Sequence, residues 1–249
     1  MIDLHLHTKN FSHDSENDPE RVVKIMEKKG FKTIAFTDHI EFNPKDPAYG
    51  DFDYEKVKEL VEDLRKKTGM KLLLGGEIGY EPQLEETIRN YLKDKDFDFT
   101  IGSIHAVGDY FISEWVRKQE REGGSFREYF EILLKLVKSG LFDVVGHFDY
   151  YKKHMEKDPV EVFEENRDIV VEVLEEVIKQ GMVLEVNTSG LRQPPGEPYP
   201  SGEILELYKE LGGRYVTLGS DAHRECHLGY GIEEGLRLIN SLGLSLWIP

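Results

Sequence analysis

Short apolar, β-branched runs alternate along this chain with longer amphipathic ones, the order expected of βα units building a parallel sheet or barrel. The runs that predict strands are Ile2–Leu6, Thr33–Asp38, Leu72–Ile78, Phe99–His105, Val144–Phe148, Met182–Thr188 and Tyr215–Asp221. Helical periodicity fills the gaps, over Pro19–Lys29, Tyr54–Thr68, Leu84–Leu92, Phe126–Lys138, Val160–Gln180, Gly202–Leu211 and Ile232–Ser241. In Tyr54–Thr68 the apolar stripe is Val57, Leu60, Val61 and Leu64, a three- and four-residue spacing. Asp18 suits the N-cap of the first helix and Gly30 its stop, and several later helices also close on glycine.

Seven strands are one short of a complete (β/α)8 barrel, and the tail Leu244–Ile248 adds at most an irregular eighth piece. The proline-rich stretch Gln193–Pro200 lies between a strand and a helix and reads as a βα loop, not a linker. No repeat, low-complexity tract or composition break divides the chain, so residues 1–249 are expected to form a single domain.

Composition narrows the class. With 39% hydrophobic residues the chain can fill a barrel core, and its net charge of −16 argues against a nucleic-acid partner, which needs a clustered basic face. A small anionic substrate, drawn to a local positive site, fits that balance better. No run approaches the roughly 20 apolar residues of a membrane span, and the N-terminus opens straight into a strand without a signal-peptide pattern. Cys226 is the only cysteine, which excludes an internal disulfide; a cytoplasmic location is the expectation. Its closeness to His223 raises a nucleophile or ligand role, but an incidental thiol is the better reading, since no thiol-protease pattern surrounds it.

Candidate chemistry sits at the strand ends. His5 and His7 are two apart on a strand and so share a face, and Asp221 and His223 repeat that spacing at the last strand. Asp38 and His39, Glu77, His105 and His147 fall near the carboxyl ends of their own strands, where barrel active sites lie. Asn187 takes that place on the sixth strand, and His13 follows the first strand in a loop. Neutral imidazole with carboxylate oxygen is the ligand chemistry of Zn, Mn and Fe, and buried ionisable groups cost several kcal/mol unless paired or metal-bound. A site for several metals follows.

These residues resemble the PHP superfamily, named for polymerase and histidinol phosphatase. The resemblance rests on Asp3-Leu4-His5-Leu6-His7-Thr8 with His13, on Thr37-Asp38-His39, on His105 and His147 with Glu77 before them, and on Ser220-Asp221-Ala222-His223. It runs from residue 2 to about residue 230 and implies an α/β fold, a distorted (β/α)7 TIM-like barrel with its metal site at the C-terminal ends of the strands. By resemblance, three divalent metal ions (Zn, Mn or Fe) are expected. One takes His5, His7, Glu77 and Asp221; a second shares Glu77 and adds His105 and His147; a third takes His13, His39 and His223. Asp38 is left to orient a ligand.

Within the superfamily, Val186-Asn187-Thr188-Ser189-Gly190-Leu191-Arg192 and Leu218-Gly219-Ser220-Asp221-Ala222-His223-Arg224 look like histidinol-phosphatase proteins, which makes Arg192 and Arg224 the expected phosphate-binding residues. The implied activity is hydrolysis of a phosphate monoester, first of all histidinol phosphate in histidine biosynthesis. Glu77, Asp221 and His39 would be catalytic, with a metal-activated hydroxide attacking phosphorus in line. A metal-bound water or His39 would protonate the leaving alkoxide; the sequence does not choose between them. The alternatives are a superfamily phosphoesterase acting on nucleotides, short nucleic acid or phosphotyrosine, an amidohydrolase, and a non-catalytic metal-binding barrel.

Overall fold

The computed structural model describes all residues, 1–249, and its strands follow the predicted order. In chain order they are β1 (Ile2–Leu6), β2 (Thr33–Phe36), β3 (His39–Ile40), β4 (Lys71–Gly79), β5 (Phe99–Ser103), β6 (Ala106–Val107), β7 (Tyr110–Phe111), β8 (Val144–Val145), β9 (Val183–Asn187), β10 (Tyr215–Gly219) and β11 (Ser245–Leu246). Eight of them form a curled sheet in the order β1-β2-β4-β5-β8-β9-β10-β11, with β3 beside β4; every pairing in it is parallel. Strands β6 and β7 form a separate antiparallel hairpin.

The barrel is closed unevenly, which is the distortion expected. At its carboxyl end the chain after β10 meets β1: the Asp221 amide donates to the His5 carbonyl at 2.8 Å, and His7 donates to Ala222 at 3.2 Å. At the other end β10 pairs instead with β11, Tyr215 opposite Ser245 and Val216 opposite Leu246. The tail thus supplies the irregular eighth strand, and Trp247 packs its ring edge-on against Phe99 at 6.1 Å. The site end is stitched, and the far end is held open and plugged.

The helices are α1 (Pro19–Lys28), α2 (Tyr54–Arg65), α3 (Glu85–Leu92), α4 (Ile112–Glu122), α5 (Arg127–Ser139), α6 (Pro159–Glu165), α7 (Arg167–Gln180), α8 (Gly202–Glu210) and α9 (Ile232–Ser241). The Asp18 side chain caps α1 by accepting from the Arg21 amide. Gly140 and Gly181 end α5 and α7 in the left-handed conformation, at φ of 63° and 72°. Buried faces such as Val57, Val61 and Leu64 of α2 join one apolar core with Phe36, Phe99 and Leu218.

Three expectations are corrected. The strand predicted over Thr33–Asp38 stops at Phe36 and resumes at His39, leaving Asp38 free to turn its carboxylate inward. The single helix predicted over Val160–Gln180 breaks at Asn166, whose side chain donates to the Val162 carbonyl at 2.8 Å, a bond that competes with the helix ladder. Helix α4 was not foreseen: of its eleven residues only Ile112, Trp115 and Val116 are buried, too few to register as an apolar stripe.

Candidate metal centre

The ends of β1, β3, β4, β5, β8 and β10 deliver their polar side chains to one pocket, and the buried carboxylate of Glu77 lies in its middle. Its Oε2 is 3.4 Å from His5 Nε2, 3.5 Å from His7 Nε2 and 2.9 Å from His39 Nδ1. Its Oε1 lies 2.9 Å from His147 Nε2 and 3.4 Å from His105 Nε2, and accepts from Ser103 Oγ at 2.8 Å. Asp221 Oδ1 stands 3.3 Å from His7 Nε2 and 3.4 Å from His223 Nδ1. One carboxylate reaches five imidazoles, which is the position of a bridging ligand.

The hydrogen-bond partners of the rings fix where their lone pairs point. His5 Nδ1 donates to Glu185 at 2.6 Å, His105 Nδ1 to Glu41 at 2.6 Å, and His7 Nδ1 faces Ser12 Oγ at 3.3 Å. Ser12 spends its own proton on Asp38 at 2.8 Å, so it accepts from His7. The Nε2 atoms of His5 and His7 face each other 3.0 Å apart, and those of His39 and His223 meet at 3.3 Å. Such pairs of ring nitrogens repel through their lone pairs unless a proton or a cation lies between them. Glu77 Oε2 and His39 Nδ1 are buried without a hydrogen-bond partner, a costly state that a metal ion relieves. Three groups have ligand atoms close enough to share an ion: His5, His7 and Glu77; His39, Glu77 and His105; and His7, His39 and His223. The donor set fits Zn, Mn or Fe.

The electrostatics agree. Burial opposes ionisation of Glu77, but His5, His105 and His39 hold its carboxyl well below the usual range. Asp221 is held down in the same way, chiefly by His5 and His7 against burial. Burial together with neighbouring His223 and His39 keeps His7 uncharged, as a ligand must be. Burial lowers the basicity of His5, yet Glu185, Glu77 and Asp221 outweigh it and raise its pKa well above normal. That excess of negative charge around His5 is what a divalent cation would neutralise.

Eight of the nine expected ligands meet here. His13 does not: its side chain is 44% exposed, and Nδ1 lies 3.2 Å from Asp51 on the rim of the cleft. The neighbouring Asp14 takes the place expected of it, with Oδ2 3.1 Å from His223 Nε2 and 3.7 Å from His39 Nε2. Burial raises the Asp14 pKa, but hydrogen bonds to those two rings bring it far below the ordinary value. Asp38 behaves as expected of an orienting group. It accepts from the Thr8 amide, Thr8 Oγ1 and Ser12 Oγ, and through Ser12 it sets the His7 ring. Burial, opposed by those bonds, raises its pKa to about 6.

Two further carboxylates, besides Asp14, were missed. Glu185 lies buried on β9, accepting from His5 through one oxygen and from the His147 amide at 2.9 Å through the other. A charged residue within the apolar run Met182–Thr188 was the signal for it. Glu41 lies past the predicted strand end and carried no such signal. Close packing makes room for Glu185: a Cβ on Gly219 would lie 2.4 Å from His5 Cβ and 2.8 Å from Glu185 Oε1.

Both arginines line the cleft, about 570 Å3 in volume, that opens over these ligands. Arg192 is already engaged: its guanidinium donates to the carbonyls of Ser220 and Asp221, each at 2.7 Å. Asp221 has φ of 52°, a left-handed conformation unusual for a residue other than glycine, and Arg192 holds that turn. Arg224 is exposed, near Glu16 at 3.4 Å. No helix is long and apolar enough to cross a membrane.

Comparisons with known proteins place the chain among relatives of one family. Residues 3–189 match the PHP domain. A probable histidinol-phosphatase of Thermotoga maritima is 31% identical, the alignment covering 95% of this chain and 90% of that one. A histidinol-phosphatase of Lactococcus lactis is 29% identical over 97% and 91% of the two chains. Among solved structures, the histidinol phosphate phosphatase of Lactococcus lactis, complexed with zinc, L-histidinol and phosphate, superposes with a TM-score of 0.82. It is 27% identical and covers 98% of this chain and 94% of that one. With three quarters of its length matched, the chain belongs to the PHP domain family.

Proposed function

We propose that this protein is a metal-dependent phosphomonoester hydrolase whose substrate is histidinol phosphate, and that its site takes three divalent cations. The observation that carries the reading is the convergence of five imidazoles on the two oxygens of Glu77. The zinc, histidinol and phosphate bound by the Lactococcus lactis relative support both the metal and the substrate. When bound, divalent cations lower the pKa of a coordinated water and neutralise phosphate oxygens.

The residues of the chain divide the remaining work. His5, His7, Glu77 and Asp221 would hold one cation, His105 and His147 with Glu77 a second, and His39 with His223 and Asp14 a third. Glu185, Glu41 and the Asp38–Ser12 pair fix ring orientation through the far nitrogens, the role that metal-bound histidines require of their partners. Arg192 keeps the Asp221 turn in place and, with N–H groups left over, faces the cleft for a phosphate oxygen. The scale of the task suits such a site. Enzymes accelerate monoester hydrolysis by up to ~10^21, roughly 28 kcal/mol, and one Lewis acid contributes only several kcal/mol.

The test is a substrate panel on the purified protein, with and without a chelator. Histidinol phosphate should be turned over with the highest kcat/KM, and chelation should abolish it. A higher kcat/KM on a phosphotyrosine peptide or a short oligonucleotide would overturn the substrate assignment.

A further inference from the structure

Lys152 is buried behind the cleft wall. It sits on the short turn Tyr150–His154 after β8 with its side chain only 1% exposed, while Tyr150, Lys153 and His154 of the same turn line the cleft. A buried ammonium is costly unless its N–H groups find acceptors. Here Nζ donates to Glu197 Oε1 and to the Pro198 carbonyl, each at 2.9 Å, and stands 3.0 Å from Asp149 Oδ2. An ammonium has three N–H groups, and these are three oxygens. The charge also lies 5.1 Å from the centre of the Tyr199 ring.

Glu197 and Pro198 belong to the Gln193–Pro200 loop and Asp149 precedes the turn, so one ammonium joins two walls of the cleft. Asp149 Oδ2 also accepts from the Ser201 amide at 3.0 Å, while Oδ1 is buried without a partner, which leaves the Asp149 charge dependent on Lys152. The Tyr199 hydroxyl donates to Gln193 Oε1 at 2.7 Å, and the Tyr199 backbone exchanges two bonds with Asn187 at the end of β9. The rings of Tyr150 and Tyr199 meet at 5.8 Å across the junction. Gln193 follows Arg192, and both line the cleft.

Apolar side chains could fill this space at little cost in stability, whereas an ammonium with directed partners admits one loop position. We propose that Lys152 is a positioning residue for the reaction. It sets the Gln193–Pro200 loop against the Tyr150–His154 turn and so fixes the substrate-facing wall that runs from Arg192 through Gln193. The assignment rests on the phosphatase reading. Lys152 donates to no candidate ligand and does not line the cleft, and Arg192 keeps its own bonds to the Ser220 and Asp221 carbonyls. Loss of Lys152 should therefore act on substrate binding and leave the metals in place.

The test measures steady-state kinetics on histidinol phosphate, metal content and amide hydrogen exchange in three variants. Glu197→Ala, at a position 38% exposed, removes one arm of the junction. Lys152→Met removes the ammonium, and Lys152→Met combined with Asp149→Asn also removes the carboxylate left stranded, so it serves if the single variant fails to fold. KM should rise about threefold in Glu197→Ala and about tenfold or more without Lys152, with kcat and metal content within about twofold of wild type. Exchange over residues 193–201 should quicken about tenfold without Lys152, with the barrel strands unaffected. An ion pair that only stabilised the fold would lower the melting temperature and leave KM unmoved. That result, parallel losses of kcat and metal, or unaltered loop exchange would overturn the assignment. A wild-type protein that hydrolyses no phosphate ester would overturn the phosphatase reading, and loop exchange would still report whether Lys152 holds the loop.

Discussion

Glu185→Gln is the substitution that isolates the contribution of a group outside the metal's reach. Glu185 holds His5 by its Nδ1–H at 2.6 Å and the His147 backbone amide at 2.9 Å, one oxygen for each. Glutamine has nearly the same shape but one acceptor oxygen, so either His5 loses its partner or the His147 N–H faces an NH2 group. A hydrogen bond to a charged group contributes about 1.5–3 kcal/mol and a neutral one about 0.5–1.5. Even if His5 keeps its bond, about 1 kcal/mol is lost with the charge, and the unmet His147 amide costs about 1–3 more. The sum, about 2–4 kcal/mol, falls on the geometry and basicity of His5 and His147. Part of it will be absorbed by relaxation, so metal affinity should drop about 10- to 100-fold, the range typical of such partners. The assay is competition with a chromogenic zinc chelator, with circular dichroism to verify the barrel. An affinity within twofold of wild type would refute the view that Glu185 tunes His5.

Three further outcomes follow. Arg192→Ala removes two charge-assisted bonds from the strained Asp221 turn, each contributing about 1.5–3 kcal/mol. It should raise KM at least tenfold and also weaken metal binding, whereas a residue that only bound phosphate would raise KM without metal loss; dialysis against chelator distinguishes them. His13→Ala should change metal content little, while Asp14→Asn should reduce it by up to one ion per chain; the reverse order, read by elemental analysis, would restore His13 to the ligand set. Burial, with Lys153 and Arg117 nearby, pushes the His154 pKa down to about 4. Its folded pKa is below the unfolded value of about 6.5, so the folded protein binds fewer protons between those values and stability rises with pH across that window. His154→Gln should flatten that part of the curve, measured as urea midpoint against pH.

Much of the site was legible because parallel strands end at one face of a barrel. Polar residues closing apolar runs, such as Glu77, His105, His147 and Asp221, could be placed together without knowing any distance. The His-x-His of β1 followed from the two-residue period alone. What could not be read was settled by loops and by partners distant in sequence. His13 and Asp14 are adjacent on the loop after β1, and only the path of that loop decides which one turns inward. Glu41 and Glu185 matter through the far nitrogens of His105 and His5, a relation that no local pattern encodes. Arg192 lines the cleft, but its grip on the Ser220 and Asp221 carbonyls depends on a turn with positive φ at Asp221 and could not be read from the chain. In the fold, the break at Asn166 was hidden because the apolar period continues across it.

The central claim is tested most directly by counting metal and activity on the same sample. Purified protein should carry close to three Zn, Mn or Fe ions per chain, lose histidinol-phosphate hydrolysis in proportion as a chelator strips them, and regain it on reconstitution. A chain that holds less than one ion yet hydrolyses the ester undiminished would contradict the account.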